Sequence, residues 1–385
     1  MTNLALFATT IVAAWTFMLV ARGSFWRADV RLGDAPAPQR WPDVVGVIPA
    51  RDEAESIGAV VHAHLSSVYP GVFHLIVVDD ASSDGTAQIA RAAAADIGAA
   101  DRLTVLAGAP LPAGWTGKLW AQAQGIAAAR TWAPTYLLLC DADIAFGPET
   151  LSRLVARAEA GRLDLVSLMS RLDARGFWAG LLIPAFILFF QKLYPFAWSN
   201  DPARRTAAAA GGVMLLRAET AGACDLPEAI RGTLIDDCAL AATVKRASGR
   251  IWIGLADEGA ATSLRDNRSI GSIWSMVART AYAQLRHSPV LLAGTLLGMA
   301  WLYLAAPALA LASPLHGDWR AGALGLLGWA LMALAFAPTL KDYRKALWRA
   351  PLLPFAGALY ATMTFSSAWN HWMKRGGRWK GRTYP

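Results

Sequence analysis

Cysteine is scarce in this 385-residue chain: three residues, Cys140, Cys224 and Cys238, with no C-x-x-C pair. An odd count without paired spacing excludes a disulfide framework and a zinc site, and it suits a reducing compartment. No G-x-G-x-x-G follows the first apolar strand-like run, which excludes the dinucleotide fingerprint. Gly117–Lys118 in "WTGKLW" lacks the earlier Gly and the following Ser or Thr of a P-loop, although Lys118 remains a candidate phosphate or base contact. Acidic residues are outnumbered, 28 against 36 Lys and Arg. The resulting charge of +8 fits basic loops facing an anionic leaflet, and no basic–aromatic pattern calls for nucleic acid.

Long apolar runs are plentiful. Apolar residues make up 55% of the chain and the mean hydropathy is +0.34, high for an ordinary soluble enzyme. Residues 4–20 carry no charge, and a membrane crossing needs about 20 apolar residues. A basic n-region and a cleavage site are missing, and Arg22, Arg27, Arg31 and Arg40 follow the run. Residues 1–22 therefore read as an uncleaved anchor with its N-terminus outside and the next segment in the cytoplasm. Three further apolar stretches, 289–312, 321–340 and 351–370, place membrane helices over 289–372, ahead of a basic tail at 373–385. Three full spans would put that tail outside, against its charge, so the Pro- and hydroxyl-bearing third stretch suits a re-entrant or interfacial segment. Residues 177–198 are apolar for only about 14 positions, short for a span. Their clustered aromatics favour a helix lying in the membrane interface over a buried helix of the domain.

Between the anchor and the C-terminal helices, residues 41–288 have mixed composition and alternate short apolar runs with helical patterns. Strands are predicted at 43–50, 74–80, 102–108 and 136–142, and helices at 55–67, 84–98, 116–131 and 148–160. This alternation predicts an α/β domain with a mostly parallel sheet covered on both faces. Ligands of such sheets bind beyond the carboxyl ends of the strands. Three predicted strands end there in carboxylates: Asp52 and Glu53, Asp79 and Asp80, and Asp141 and Asp143. Converging carboxylates need a cation, and a hard divalent ion such as Mg²⁺ takes one or two of them plus ligand phosphates, so the pattern suggests a metal–diphosphate site. Asp84 reads as a helix N-cap and Glu55 as a favourable charge at a helix start. His62 and His64, two apart on a helix, share no face and read as surface residues. Asp236 and Asp237 open an amphipathic helix, where capping and a general-base role are both open.

The motifs "VIPARDEAESIG", "VVDDASSDGT", "CDAD" and "GTLIDDCAL" resemble, in order and spacing, those of family 2 glycosyltransferases with the GT-A fold. With "GWTGKLWAQAQG" and the apolar segments, the chain most resembles the hopene-associated glycosyltransferases of bacterial hopanoid gene clusters; carotenoid and ceramide glycosyltransferases are wider relatives. The resemblance implies a multi-pass enzyme of the bacterial inner membrane with its catalytic domain in the cytoplasm. It would move one sugar from a UDP-sugar to a lipid hydroxyl with inversion, using Mg²⁺ or Mn²⁺. It also implies residue roles. Pro49, Ala50, Arg51 and Glu53 would line the nucleotide pocket, and Asp79 and Asp80 would hold uracil and ribose. Asp143 would hold the metal, Asp141 the ribose or sugar, and Asp237 would be the base, with Asp236 where Glu is common. Gly211 and Gly212 match the turn near donor sugar and acceptor. Processive synthases carry Q-x-x-R-W; in "WSMVARTAY" Arg279 corresponds, but Met276 and Thr280 replace the Gln and Trp, which disfavours polymerisation. Other lipid acceptors and a non-catalytic partner role are the alternatives.

Overall fold

In the computed structural model, residues 2–375 are described, together with two short strands at 378–379 and 382–383. The chain divides into two compact units. One comprises residues 29–173 and 198–265. The other comprises residues 1–28, 174–197 and 266–385. Of the residues 41–288 expected as the middle domain, 174–197 and 266–288 fall in the helical unit. Apart from those two short strands, the basic tail lies outside the described residues.

The first unit is an α/β layer structure. Its main sheet contains β1 (Val44–Ala50), β2 (Phe73–Asp79), β3 (Leu103–Ala107), β4 (Tyr136–Cys140), β6 (Leu165–Met169), β7 (Val213–Arg217) and β8 (Ile251–Leu255), in the order β3-β2-β1-β4-β7-β6-β8. A second pair, β5 (Ile144–Phe146) and β9 (Ala261–Ser263), runs antiparallel. The four predicted strands and four predicted helices are all present at these places; the helices are Ile57–Leu65, Thr86–Asp96, Gly117–Ala129 and Thr150–Gly161.

β1 is buried at every position, which follows from parallel pairing on both sides and helices on both faces. Alternation along the strand splits its side chains between two cores: Val44, Ile48 and Ala50 enter one, Val45 and Val47 the other. The helix Gly117–Ala129 lies close over the second face because Gly125 has no side chain; a Cβ there would come within 2.3 Å of Val47 Cγ1. β7 is the exception to the parallel order. It runs antiparallel to β4 and β6, so its first residue, Val213, sits beside Cys140 at the end of β4. That register delivers the Gly211–Gly212 turn to the edge where β1, β2 and β4 deliver their carboxylates.

The surface assignment of His64 is wrong. His62 is exposed, but His64 is fully buried, stacked on Phe146 at 4.1 Å, with Nε2 3.1 Å from the Ile144 carbonyl. Residues two apart on a helix point to different sides, so one of the pair had to face the core. Burial pushes the His64 imidazole down to about 4, keeping it neutral.

The second unit is helical. Among the described residues, four helical stretches are long and apolar enough to cross a membrane: Asn3–Ala21, Phe177–Ser199, Pro289–Leu311 and Trp319–Asp342, all but residues 198–199 in this unit. The second corrects the expectation of a segment too short to span: with the short turn of helix at Phe196–Ser199 it reaches 23 residues. Its middle, from Ala179 to Leu188, is largely buried rather than carrying one wet face. The stretch expected at 351–370 is a 20-residue helix, Leu353–Trp372, and is not among those four. Within this unit Trp15 donates Nε1–H to the Leu302 carbonyl at 2.8 Å and packs edge-on against Tyr303. Small residues allow close helix contact: a Cβ on Gly325 would meet the Ala306 carbonyl at 2.7 Å.

Candidate functional site

The site forms where the strands end. Just past β1, Arg51 donates to the Asp80 carbonyl at 2.6 Å and faces the Asp80 carboxylate at 3.7 Å. The next residues bind the loop after β2: Asp52 N–H donates to Ser82 Oγ at 3.0 Å, Glu53 N–H to Thr86 Oγ1 at 2.9 Å, and Ala54 N–H to Asp84 Oδ2 at 2.9 Å. Asp84 is not the N-cap it was expected to be, since Gly85 holds that position before the helix Thr86–Asp96. Its other oxygen accepts from the Thr86 N–H at 3.1 Å, so one carboxylate ties two loops together. Asp79 Oδ1 accepts from Ser82 N–H at 3.2 Å. Pro49 and Ala50 pair with Val78 and Asp79 in the sheet itself, so they reach this edge as backbone.

Past β4 the two aspartates part company. Asp141 Oδ1 sits 2.8 Å from the Lys118 ammonium, and the same ammonium is 3.0 Å from Asp236 Oδ2. Asp143 turns the other way: its Oδ2 accepts from Ser263 Oγ at 2.7 Å and faces Arg265 at 3.7 Å. Arg265 also faces Glu53 at 3.7 Å. The carboxylate ends of β1 and β4 thus share one guanidinium.

The helix Asp236–Arg246 brings the last acid. Ile235 stands at its N-cap and makes no side-chain cap, so the capping reading of this acidic pair does not hold there. Asp237 Oδ2 instead accepts from the Gly211 N–H at 2.9 Å, and Oδ1 from the Cys238 N–H at 2.7 Å. Burial and the adjacent Asp236 push the Asp237 carboxyl up to about 6, against the pull of Lys118 and the two backbone donors. Asp141 is also held above the usual carboxylate range by burial and by Asp143 and Asp236, with Lys118 opposing. Burial would lower the Lys118 ammonium, but Asp141 and Asp236 override it and hold the group well above an ordinary lysine.

Gly211 is where space runs out. A Cβ there would lie 3.2 Å from Lys118 Nζ and 3.5 Å from Asp237 Oδ2. Gly211→Ala is expected to lower kcat by about tenfold while the unfolding midpoint stays near wild type, because a displacement of about 1 Å at a reacting group can cost about 10²-fold. Steady-state kinetics beside a thermal melt check this. Gly212 packs against Ser170 and Ile144, and its carbonyl accepts from Asp141 N–H at 3.4 Å. Arg279 follows the helix Ile270–Ala278 and belongs to the helical unit. Ser263 and Arg265 were missed by sequence reasoning: "TSLRDNRS" has no spacing that singles them out, and only the β5–β9 pairing reveals them.

A hard divalent ion asks for one or two carboxylates, with phosphate oxygens completing its shell. No group of three or more His, Cys, Asp or Glu able to hold a metal occurs among the described residues. One carboxylate here could bind such an ion together with phosphate oxygens of a substrate. Asp143 suits that role, since its carboxylate is anchored by one hydroxyl and meets the guanidinium only at a distance longer than a hydrogen bond.

A mostly parallel sheet with acidic strand ends and one inserted antiparallel strand defines a GT-A-like fold. Residues 47–206 match the Glycosyl transferase family 2 description; the chain carries a domain of that family and is an enzyme of the glycosyltransferase class. Among solved structures it is similar to a mannosyltransferase from Pyrobaculum calidifontis in complex with GDP-Man and Mn²⁺. That likeness has 21% identity and a TM-score of 0.58, over 93% of this chain and 99% of that one, and it establishes the fold. Mannosyl-3-phosphoglycerate synthase from Rubrobacter xylanophilus matches at 20% identity and TM-score 0.40, over 72% of this chain and 84% of that one. Glucosyl-3-phosphoglycerate synthase from Mycobacterium tuberculosis, bound to Mn²⁺, UDP-glucose and phosphoglyceric acid, matches at 20% and 0.43, over 64% and 79%.

Proposed function

We propose that this protein transfers one sugar, with inversion, from a UDP-sugar to a hydroxyl of a membrane lipid of the hopanoid class. The observation that carries the reading is the Lys118 bridge. One ammonium joins Asp141, on the strand end expected to take the donor, to Asp236, next to Asp237, whose carboxyl burial and Asp236 push up to about 6. Donor groups and a base therefore lie within one side chain's reach. Asp237 accepts the proton of the acceptor hydroxyl as that oxygen attacks the anomeric carbon; a pKa near the working pH is what a general base requires. The backbone N–H of Gly211 fixes the carboxylate's position, so its orientation does not depend on a free rotamer. Arg51, Glu53, Asp79 and Asp80 hold the nucleoside at the ends of β1 and β2. Asp143 is the residue that would hold Mg²⁺ or Mn²⁺, which supplies positive charge for the leaving diphosphate when bound.

The four long apolar helices support a lipid acceptor and a place in the bacterial inner membrane, with the catalytic unit on the cytoplasmic side. A hopanoid alcohol is nearly all hydrocarbon, so an enzyme using it has to work at the bilayer surface. The test is the detergent-solubilised chain offered a panel of UDP- and GDP-sugars with hopanoid, carotenoid and ceramide alcohols, read by mass spectrometry. A hopanoid hexoside is the expected product; transfer only to a soluble acceptor overturns the lipid assignment. Asp143→Ala is expected to abolish the gain in UDP affinity that Mn²⁺ gives the wild type. Calorimetry in Mn²⁺ and in chelator measures it, and an unchanged gain would remove Asp143 from the metal.

A further inference from the structure

Among the described residues, Lys118, Arg51 and Arg265 stand at the acidic strand ends, and they are committed to different degrees. Lys118 is locked between Asp141 and Asp236 at 2.8 and 3.0 Å. Arg51 is held to the Asp80 carbonyl at 2.6 Å. Arg265 is different: it faces Glu53 and Asp143 at 3.7 Å each, within Coulomb range of both and beyond hydrogen-bonding distance of either. Its side chain is 44% exposed, whereas both carboxylates are 14% exposed.

The backbone beneath this guanidinium is well fixed. β9 pairs with β5 so that Ser263 lies opposite Ile144, one residue after Asp143. Leu264 N–H donates to the Asp143 carbonyl at 2.8 Å, and Arg265 N–H to Ser263 Oγ at 3.3 Å. The loop is thus pinned to the Asp143 strand end while the head group stays loosely held. A guanidinium offers five N–H donors in a planar fork that matches phosphate oxygens two at a time. A diphosphate entering this edge meets Glu53, Asp141 and Asp143, and it needs a cation that can turn to it without breaking short contacts.

We propose that Arg265 is a diphosphate-binding residue: as the nucleotide enters, its guanidinium leaves the loose pairs with Glu53 and Asp143 and takes the phosphate oxygens. This rests on the nucleotide-sugar reading of the site. It adds a residue to that reading and makes the Glu53–Arg265–Asp143 arrangement the resting state of the ligand-free enzyme.

The test is calorimetric binding of UDP, UMP and uridine, and of GDP and GMP, to the detergent-solubilised full chain in Mn²⁺ and in chelator. Wild type is compared with Arg265→Ala and Arg265→Lys, with circular dichroism confirming that each variant is folded. The wild-type preference for diphosphate over monophosphate is expected to fall tenfold or more in Arg265→Ala, in chelator as well as in Mn²⁺. Monophosphate affinity should stay within twofold, and Arg265→Lys should recover part of the preference. An unchanged preference overturns the proposal, and so does an equal loss for UDP, UMP and uridine, which marks a structural brace. Should Arg265→Ala not fold, Arg265→Lys decides: a preference equal to wild type in chelator and in Mn²⁺ overturns the role of the fork, and a reduced one upholds it. Failure of the wild type to bind either nucleotide series is a separate result, which removes the nucleotide-site reading together with this inference.

Discussion

Asp237→Asn is expected to lower kcat by about 10²–10⁴-fold, the usual contribution of a positioned general base, while the affinity for UDP stays close to wild type. Asparagine keeps the side-chain shape and one acceptor oxygen, enough for one of the Gly211 and Cys238 N–H groups that now bind separate oxygens of the carboxylate. What it loses is the capacity to take a proton. Single-turnover kinetics with saturating donor separate this from a binding defect, because a variant that lacks only the base still forms the donor complex. Turnover within a few-fold of wild type would assign the proton transfer to another group.

The second large effect is expected at Lys118. Replacing it with Met keeps much of the apolar stem and removes the charge that Asp141 and Asp236 share. Two consequences follow. The carboxylates lose their counter-ion, and breaking a buried pair costs roughly 3–5 kcal/mol, with the lower end apt here because Asp141 is 35% exposed. Asp237 also loses a cation that opposes its upward shift. An opposite charge nearby moves a pKa by about 1–3 units, so its removal raises the Asp237 carboxyl by a similar amount.

The sign is fixed by the chemistry: a base works ionised, so activity is lost as pH falls through its pKa. The wild-type kcat/KM profile should fall about tenfold per unit below about pH 6, and the limb should move to higher pH in Lys118→Met. A rise of about two units leaves about a tenth of the base ionised at pH 7. Denaturation curves and pH–rate profiles of the same preparation measure both effects. A destabilised variant with an unmoved acid limb would make Lys118 a structural ion-pair partner alone.

Legibility in the sequence followed the physics of each element. β1, β2 and β4 are continuous apolar runs because they are buried on both faces, and runs that stop abruptly at Asp or Glu mark their own ends. The acid-bearing edge could therefore be located from spacing alone. β7 has an equally apolar run, but nothing in "GGVMLLR" declares that it enters antiparallel between β4 and β6; that depends on pairing across distant segments. The three-residue strands β5 and β9 are too short to carry a period, and Arg265 was invisible with them. Lys118 was suspected only as a phosphate or base contact, since sequence order says nothing of its 2.8 Å approach to Asp141. His64 failed for a related reason: the helical period separated it from His62 but did not say which of the two faces inward.

We propose inverting transfer to a lipid hydroxyl with Asp237 as the base. It is tested most directly by the anomeric configuration of the product. The solubilised enzyme is incubated with an α-linked UDP-sugar and a hopanoid alcohol, and the anomeric proton of the purified glycolipid is read by NMR. Inversion by this base gives a β-linked product that forms with wild type and is lost with Asp237→Asn. An α-linked product, or a β-linked one made equally well by Asp237→Asn, would contradict it.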